Sequence, residues 1–145
     1  MIALGCDSAG FGLMQAVKTH LDKAGIAYKD FGTDSDAPCD YPVYARLAAK
    51  AVLSGECEKG IVICGTGIGV SIAANRHSGI RCALCHDVFS AKATRLHNDS
   101  NMLAMGGRVI AMGLACEIID AWLGTEFSGE ERHIRRIDMM EQCEG

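Results

Sequence analysis

Residues 60–76 read GIVICGTGIGVSIAANR: an apolar run that ends in a cysteine and opens into glycines at every second position. The run over 60–64 is β-branched and apolar throughout, which is typical of a central parallel strand buried on both faces. After the glycines, the spacing predicts a helix over about 68–75. Together they predict a strand–loop–helix unit of a parallel sheet, with the thiol of Cys64 at the end of the strand.

The rest of the chain repeats this alternation of apolar runs and helical periodicity. We expect strands over 1–6, 26–32, 79–87 and 101–107, and helices over 10–24, 43–53, 89–96, 114–123 and 130–142. This alternation predicts an α/β fold: a doubly wound, mostly parallel five-stranded sheet with helices on both faces, Rossmann-like, in a flavodoxin-type order such as 2-1-3-4-5. Because no linker or repeat divides the chain, we expect residues 1–145 to form a single domain.

The predicted order also indicates where a ligand would bind. In an open parallel sheet the binding crevice lies beyond the carboxyl ends of the strands, at the switch point. Here that point lies between the first and third strands, which end at Asp7-Ser8 and at Cys64-Gly65. The glycine loop is therefore expected to share one crevice with Asp7.

Composition excludes several classes of partner. The 145 residues carry a net charge of −4, so there is no basic field for nucleic acid or an anionic membrane. No apolar run approaches the length of a membrane span, and the first ten residues lack the pattern of a signal peptide. Eight cysteines in a strongly patterned chain of this length are expected to be reduced core thiols rather than a disulfide framework. These features predict a cytoplasmic protein.

The loop CGTGIG offers an anion site next to a thiol. Gly65, Gly67 and Gly69 let backbone N–H groups approach a ligand ahead of a helix N-terminus. The spacing matches neither a P-loop nor a dinucleotide fingerprint, and a glycine-rich turn without a ligand is the alternative. Cys64, beside oriented amides, is a candidate base or nucleophile.

The motif CALCH (82–86) has the spacing of a haem-attachment site. It lies within a predicted strand, where Cys82 and Cys85 point to opposite faces, so a buried strand is the better interpretation. A zinc site is not favoured either, because no second cysteine pair at ligand spacing is present.

Two further segments carry polar groups suited to chemistry. LHNDSN (96–101) is typical of a helix end followed by a turn, and it also places His97 where we expect the carboxyl edge of the sheet. ERHIRR (131–136) puts Arg132 and Arg136 on one helix face. A solvated face is the usual meaning of such a run, but an arginine pair also binds phosphate, and Arg108 is a candidate to join it.

These blocks together resemble a known family. GIVICGTGIGVSIAANR, GIRCALCHD, RLHNDSNMLAMGGRVI and ERHIRRID are similar to signature blocks of type B ribose-5-phosphate isomerases, a family that includes the galactose-6-phosphate isomerase subunits. The resemblance covers essentially the whole chain. It implies aldose–ketose isomerisation without metal or cofactor, in a homodimer or homotetramer whose sites lie at the dimer interface.

The resemblance also implies roles for individual residues. Cys64 matches the base that moves a proton between C1 and C2, and Thr66 with the loop amides matches the groups that hold the enediolate oxygens. His97 matches the residue that helps to open the sugar ring, with Asp7 near the ring oxygen or hydroxyls. The positions that match contacts to substrate or phosphate are Ser8, Tyr41, Gly65, Gly67, Ile68, Gly69, Asn98, Arg108, Arg132 and Arg136.

The chain departs from the family pattern at Ser8, where the family usually has a histidine that contacts substrate. The galactose-6-phosphate subunits also lack that histidine, but they diverge at the cysteine loop that this chain keeps. Ribose 5-phosphate is the expected substrate, and an aldohexose 6-phosphate such as allose or galactose 6-phosphate is the alternative. A phosphosugar-binding module without catalysis is an alternative of another class, and a redox role for Cys64 is a third.

Overall fold

Strands and helices alternate from one end of the chain to the other. The structure, a computed structural model, describes residues 1–143; residues 144–145 of the predicted domain lie outside the described residues. The strands are β1 (Ile2–Cys6), β2 (Tyr28–Asp30), β3 (Lys59–Cys64), β4 (Cys82–Leu84) and β5 (Met102–Gly106). The helices are α1 (Phe11–Lys23), α2 (Tyr41–Leu53), α3 (Ile68–Asn75), α4 (Val88–Asn98), α5 (Met112–Gly124) and α6 (Glu131–Glu141). Every predicted element is present, with bounds shifted by a few residues.

The five strands form one parallel sheet in the order β2-β1-β3-β5-β4. The predicted α/β class and parallel sheet are confirmed, but the suggested order was wrong for the last two strands. Every residue of β5 is buried, whereas the three residues of β4 are partly or fully exposed. Because β5 is buried on both faces, it lies in the interior of the sheet beside β3, whereas β4, which is shorter and more exposed to solvent, lies at the edge.

Helices cover both faces of the sheet, as a doubly wound fold requires. On one face α1, α4 and α5 bury large side chains such as Met14 and Trp122 against the strands. On the other face α2 and α3 pack mainly through alanines and Val70. Because neighbouring residues of a strand point to opposite faces, Ile63 belongs to the first layer and Cys64 to the second.

The switch point lies between β1 and β3, as the sequence predicts. These strands are adjacent, and the chain leaves β1 for α1 on one face but leaves β3 for α3 on the other. In an open parallel sheet the carboxyl ends of two such strands are where a ligand crevice forms. Among residues 1–143, no helix has the length and apolar character needed to cross a membrane.

Candidate active site

Asp7 and Cys64 lie side by side at the switch point. Cys6 pairs with Ile63 across β1 and β3, so the next residues of the two strands are Asp7 and Cys64. The Asp7 amide donates to the Ile63 carbonyl at 3.3 Å, and the Asp7 carboxylate accepts from the Gly10 amide at 3.0 Å. The exposed fractions of Asp7 and Cys64 are only 8% and 5%. The carboxylate and the sulfur are thus held in fixed positions at the floor of the crevice.

The glycine loop turns back over the Cys64 sulfur. The Gly67 amide donates to Cys64 Sγ at 3.2 Å. Gly67 has φ of +78°, and a Cβ at this position would lie 2.6 Å from the Leu84 side chain and 2.7 Å from the Met105 backbone. Only glycine therefore permits the turn that brings this amide to the sulfur.

The loop presents hydrogen-bond donors outward. The Thr66 oxygen accepts from the Ile68 amide at 3.2 Å, which leaves the Thr66 O–H hydrogen available to another acceptor. Thr66 and Ile68 are both exposed. The first-turn amides of α3, such as that of Gly69, lack acceptors within the helix. A hydroxyl and backbone amides that converge in this way bind an anionic oxygen.

An aromatic ring and a cation flank the loop. The ring of Tyr41, the first residue of α2, packs directly on Gly69, where a Cβ would lie 2.7 Å from ring carbons. Arg108 follows β5, and its amide donates to the Gly65 carbonyl at 2.9 Å. The Arg108 guanidinium lies over Gly65, 3.1 Å from where a Cβ would stand.

The carboxyl edge therefore gathers most of the predicted site residues. Ser8 lies next to Asp7, half-buried, and its carbonyl accepts from the Phe11 amide at 3.4 Å. The predicted residues found together at this edge are Asp7, Ser8, Tyr41, Cys64, Gly65, Thr66, Gly67, Ile68, Gly69 and Arg108.

The other predicted residues lie at the opposite edge, and the expected placement of His97 at the carboxyl edge was wrong. α4 follows β4 and returns across the sheet, so His97 and Asn98, in its last turn, lie near the amino ends of the strands. Asn101, just beyond α4, accepts through its carbonyl from the Gly60 amide at the start of β3. The length of β3, roughly 16 Å, separates this edge from Cys64.

Arg132 and Arg136 belong to the same distant group. They lie on α6, which contacts α4 through His133 and is tied to Arg81 by a Glu141 carboxylate at 2.5 Å. Both arginines are exposed, and Arg132 pairs with Glu130 at 2.9 Å. One copy of the chain therefore does not bring Arg132, Arg136, His97 and Asn98 to the Cys64 loop.

Two histidines that were not predicted from the sequence lie near the predicted residues. His133 stacks on His97, with ring centroids 4.7 Å apart and planes at 19°. His86 Nε2 accepts from the Gly106 amide at 3.0 Å, next to the point where Gly106 packs on the Thr66 backbone. The only sequence signal was position: His86 ends the CALCH motif and His133 sits between Arg132 and Arg136.

The CALCH cysteines lie in the core, on opposite sides of the sheet. Cys85 is buried in the layer of α1, α4 and α5, whereas Cys82 packs against the layer of α2 and α3. Burial raises the pKa of Cys85 to about 11, and it also raises the pKa of Cys82. Two thiols on opposite faces cannot hold one haem, but the buried-strand interpretation was wrong, because β4 is a partly exposed edge strand that ends at Leu84, one residue before Cys85.

Comparison with known proteins bears on this arrangement. A family model described as ribose/galactose isomerase matches residues 2–140. The chain is 47% identical to a ribose-5-phosphate isomerase B of Escherichia coli over 143 residues, covering 99% of this chain and 95% of that protein. It superposes on a ribose 5-phosphate isomerase of Thermotoga maritima with a TM-score of 0.96 at 45% identity, covering 98% of this chain and 97% of that one.

Relatives with another stated substrate are also found. A D-erythrulose-4-phosphate isomerase of Pectobacterium atrosepticum is 43% identical over 130 residues, covering 88% of this chain and 85% of that protein. The family resemblance that the motifs indicated is confirmed. The predicted enzyme class, an isomerase, is confirmed as well. Because the family model spans nearly the whole chain and the relatives match along most of their length, the chain belongs to the ribose/galactose isomerase family.

Proposed function

We propose that the chain interconverts ribose 5-phosphate and ribulose 5-phosphate through a cis-enediolate, with Cys64 as the base. The observation that carries this proposal is the Cys64 sulfur itself. It lies at the carboxyl end of β3, held by the Gly67 amide at 3.2 Å, with outward-facing donors on the next residues of the loop. A base beside an oxyanion-binding loop is the arrangement that proton transfer next to a carbonyl requires.

The proton moves between two neighbouring carbons. As a thiolate, Cys64 takes the proton from C2 of the open-chain aldose, and the electron pair of that C–H bond forms the C1=C2 double bond. The carbonyl electrons move to O1, which becomes the enediolate oxygen. Return of that proton to C1 and transfer of the O2 proton to O1 give the ketose, so the substrate neither gains nor loses a proton overall.

The loop residues stabilise the charge that develops on oxygen. The Thr66 hydroxyl, whose oxygen already accepts from Ile68, donates to the enediolate, and the first-turn amides of α3 add further donors. Such preorganised donors stabilise the transition state more than the ground state. Asp7, next to Cys64, binds the ring oxygen or hydroxyls, and Tyr41 borders the substrate at Gly69.

A complete site needs a second copy of the chain. His97, Asn98, Arg132 and Arg136 lie at the far edge of the sheet, so the partner copy supplies ring opening by His97 and contacts by Asn98. Arg132 and Arg136 of the partner copy bind phosphate together with Arg108, and Ser8 adds a hydroxyl. Support for a homodimer comes from Ile68 and Ile72, one turn apart on α3 beside the loop and 50% and 59% exposed. A homotetramer would be a pair of such dimers.

Replacement of Cys64 tests the chemistry. We expect Cys64→Ala to abolish conversion of ribose 5-phosphate while changing its Kd by no more than about threefold, because the sulfur is needed for proton transfer rather than for binding. Cys116→Ala, at a partly exposed position on α5, is the matched control. Near-native turnover by Cys64→Ala would show that another group is the base.

A second candidate substrate class follows from Ser8, which is shorter than the histidine usual in the family and uncharged. A crevice relieved of that ring would admit a longer sugar, so allose or galactose 6-phosphate is the alternative to ribose 5-phosphate. The relative that is named for erythrulose 4-phosphate makes a four-carbon sugar a further comparison. We expect kcat/KM to be highest for ribose 5-phosphate among four-, five- and six-carbon aldose phosphates; a higher value for either other length would reassign the substrate.

A further inference from the structure

His133 is a buried polar side chain without a polar partner. Its exposed fraction is 6%, and among residues 1–143 its Nε2 is the buried side-chain nitrogen or oxygen atom that lacks a hydrogen bond. A buried polar atom without a hydrogen bond lowers the stability of the folded protein, and native proteins contain few such atoms, so each one calls for an explanation. Its one close aromatic neighbour is His97, on which it stacks at 4.7 Å.

The stack is what fixes the His97 ring. His97 lies exposed in the last turn of α4, and within the described part of the chain no hydrogen bond reaches its ring nitrogens. An imidazole at an exposed helix end would otherwise exchange among rotamers. The nearly parallel His133 ring, with planes at 19°, restricts the His97 plane to one orientation.

His133 itself is suited to remain neutral. Burial lowers the pKa of His133 most, the positive charges of Arg132 and His97 lower it further, Glu130 raises it, and Arg136 has the least effect, again downward. Apart from His97 on α4, these charged groups all lie on α6 or just before it. A neutral ring can cover one face of His97 without adding positive charge beside a group that exchanges protons with a sugar.

We propose that His133 is a positioning residue that holds the His97 imidazole in the orientation needed to open the sugar ring in the partner copy's site. This inference rests on the proposed function, in which His97 opens the ring and Cys64 moves the proton. It assigns to the α6 histidine a task separate from the phosphate contacts of Arg132 and Arg136 on the same helix.

The two sugars of the proposed reaction separate ring opening from proton transfer. Ribose 5-phosphate exists mainly as a five-membered ring, which must open before Cys64 can act. Ribulose 5-phosphate cannot close such a ring, because the C5 oxygen that would close it carries the phosphate. Exchange of a C1 proton of ribulose 5-phosphate with solvent deuterium therefore needs Cys64 and the loop but no ring opening.

The test compares conversion and exchange in three variants. In His133→Leu, which fills the space without a ring, and in His133→Ala, we expect kcat for ribose 5-phosphate to fall about ten- to a hundredfold, with KM nearly unchanged. Deuterium exchange into ribulose 5-phosphate should stay within about twofold of wild type. His133→Phe keeps an aromatic ring and should retain most of the conversion. Met139→Ala, at an exposed position on α6, is the control.

Each other outcome overturns a stated claim. Equal loss of conversion and exchange in His133→Leu would show a merely structural role, and equal conversion by His133→Leu and His133→Phe would show that stacking is irrelevant. Because Leu and Phe both fill the site, this pair decides even where His133→Ala fails to fold. Absence of both conversion and exchange in the wild-type enzyme would instead contradict the proposed function itself.

Discussion

A single buried imidazole links the folding of this protein to pH. Because the pKa of His133 is lowered in the folded state, by burial first and by Arg132 next, the unfolded chain binds a proton at a higher pH than the folded one. The contribution of His133 to stability is therefore fully present above its unfolded pKa, about 6.5, and is lost as pH falls from there through the folded pKa.

The loss of this contribution at low pH can be measured. Between pH 7 and pH 5 the free energy of unfolding of the wild type should fall more than that of His133→Phe, which has nothing to protonate at this position. Urea unfolding at the two pH values measures both. If the two proteins lose the same stability, protonation of His133 is not coupled to folding.

Glycines of this chain differ sharply in what a methyl group would do. At Gly67, with φ of +78° and backbone of Met105 at 2.7 Å from a Cβ, alanine meets both strain and a clash. At Gly12, inside α1, a Cβ would meet nothing within 4 Å. Gly67→Ala should lower the free energy of unfolding by at least about 2 kcal/mol, whereas Gly12→Ala should raise it by roughly 0.5–1 kcal/mol.

Urea unfolding monitored by circular dichroism measures both glycine variants. The substitution at Gly67 should also lower kcat, since the Gly67 amide that contacts Cys64 Sγ would move. If Gly67→Ala had native stability and native kcat, then glycine would not be required for the turn at position 67.

For single residues, the sequence predicted those whose immediate neighbours along the chain already indicate a function. Cys64 stood out because a thiol after a strand and before glycines is an unusual neighbourhood. The role of His133 could not be predicted, because it depends on a ring 36 positions away along the chain that only tertiary packing brings to 4.7 Å.

Among the elements, the junction of α4 and β5 is held by a network of side-chain hydrogen bonds. Arg95, 7% exposed, donates through Nη1 to Asp99 Oδ1 at 2.8 Å and to the Ser100 carbonyl at 2.5 Å. Its Nε donates to the Thr125 carbonyl at 3.1 Å, and Trp122 Nε1 donates to Ser100 Oγ at 2.9 Å. The network holds Asp99 in a left-handed conformation, with φ of 44°, directly after His97 and Asn98.

Loss of Arg95 should therefore loosen the end of α4. Arg95→Met removes the side-chain donor from two carbonyls and leaves Asp99 with Arg81 as its one arginine partner, and we expect it to lower the free energy of unfolding by about 2–3 kcal/mol. Arg46→Met, at an exposed position on α2, should change it by less than about 0.5 kcal/mol. Equal effects of the two substitutions on urea midpoints would show that the buried network contributes nothing.

Sequence patterns predicted where the helices and strands lie along the chain but not the order of all the strands in the sheet. Apolar runs and helical periodicity located the five strands and six helices of the described residues, although α6 buries only His133 and β2 buries no residue. The order of β4 and β5 was not predictable from two similar apolar runs, since it depends on which run is buried on both faces. The misplacement of His97 has a different cause: a helix between two parallel strands runs back to the amino edge whatever their order, and His97 lies in the last turn of such a helix.

For the whole molecule, the separation of the predicted residues into two groups is the decisive feature. Cys64 with its loop lies at one edge of the sheet, and His97 with its arginines lies at the other, roughly 16 Å away. Within one copy, His97 lies too far from Cys64 for both residues to contact the same sugar. In a symmetric dimer the same surface of each copy meets its partner, so each copy can give its His97 to the other copy's Cys64.

Mixed dimers test this exchange directly. Cys64→Ala and His97→Ala should each be nearly inactive alone. A dimer with one copy of each has one site that joins Cys64 of the His97→Ala copy to His97 of the Cys64→Ala copy. Its other site lacks both groups. After equal amounts are unfolded together and refolded, half of the dimers are mixed, so the activity should recover to about a quarter of the wild-type value.

The matched control mixes Cys64→Ala with Cys64→Ser, a pair in which no combination restores a thiol, and it should stay inactive. Recovery that appears only in the first mixture requires that the site be shared between copies. If the first mixture stays as inactive as the second, although native mass spectrometry shows that mixed dimers form, then Cys64 of one copy and His97 of the other do not act in one site. The proposed roles of Cys64 and His97 in a shared site would then be contradicted, because one of the two sites in every mixed dimer contains both groups.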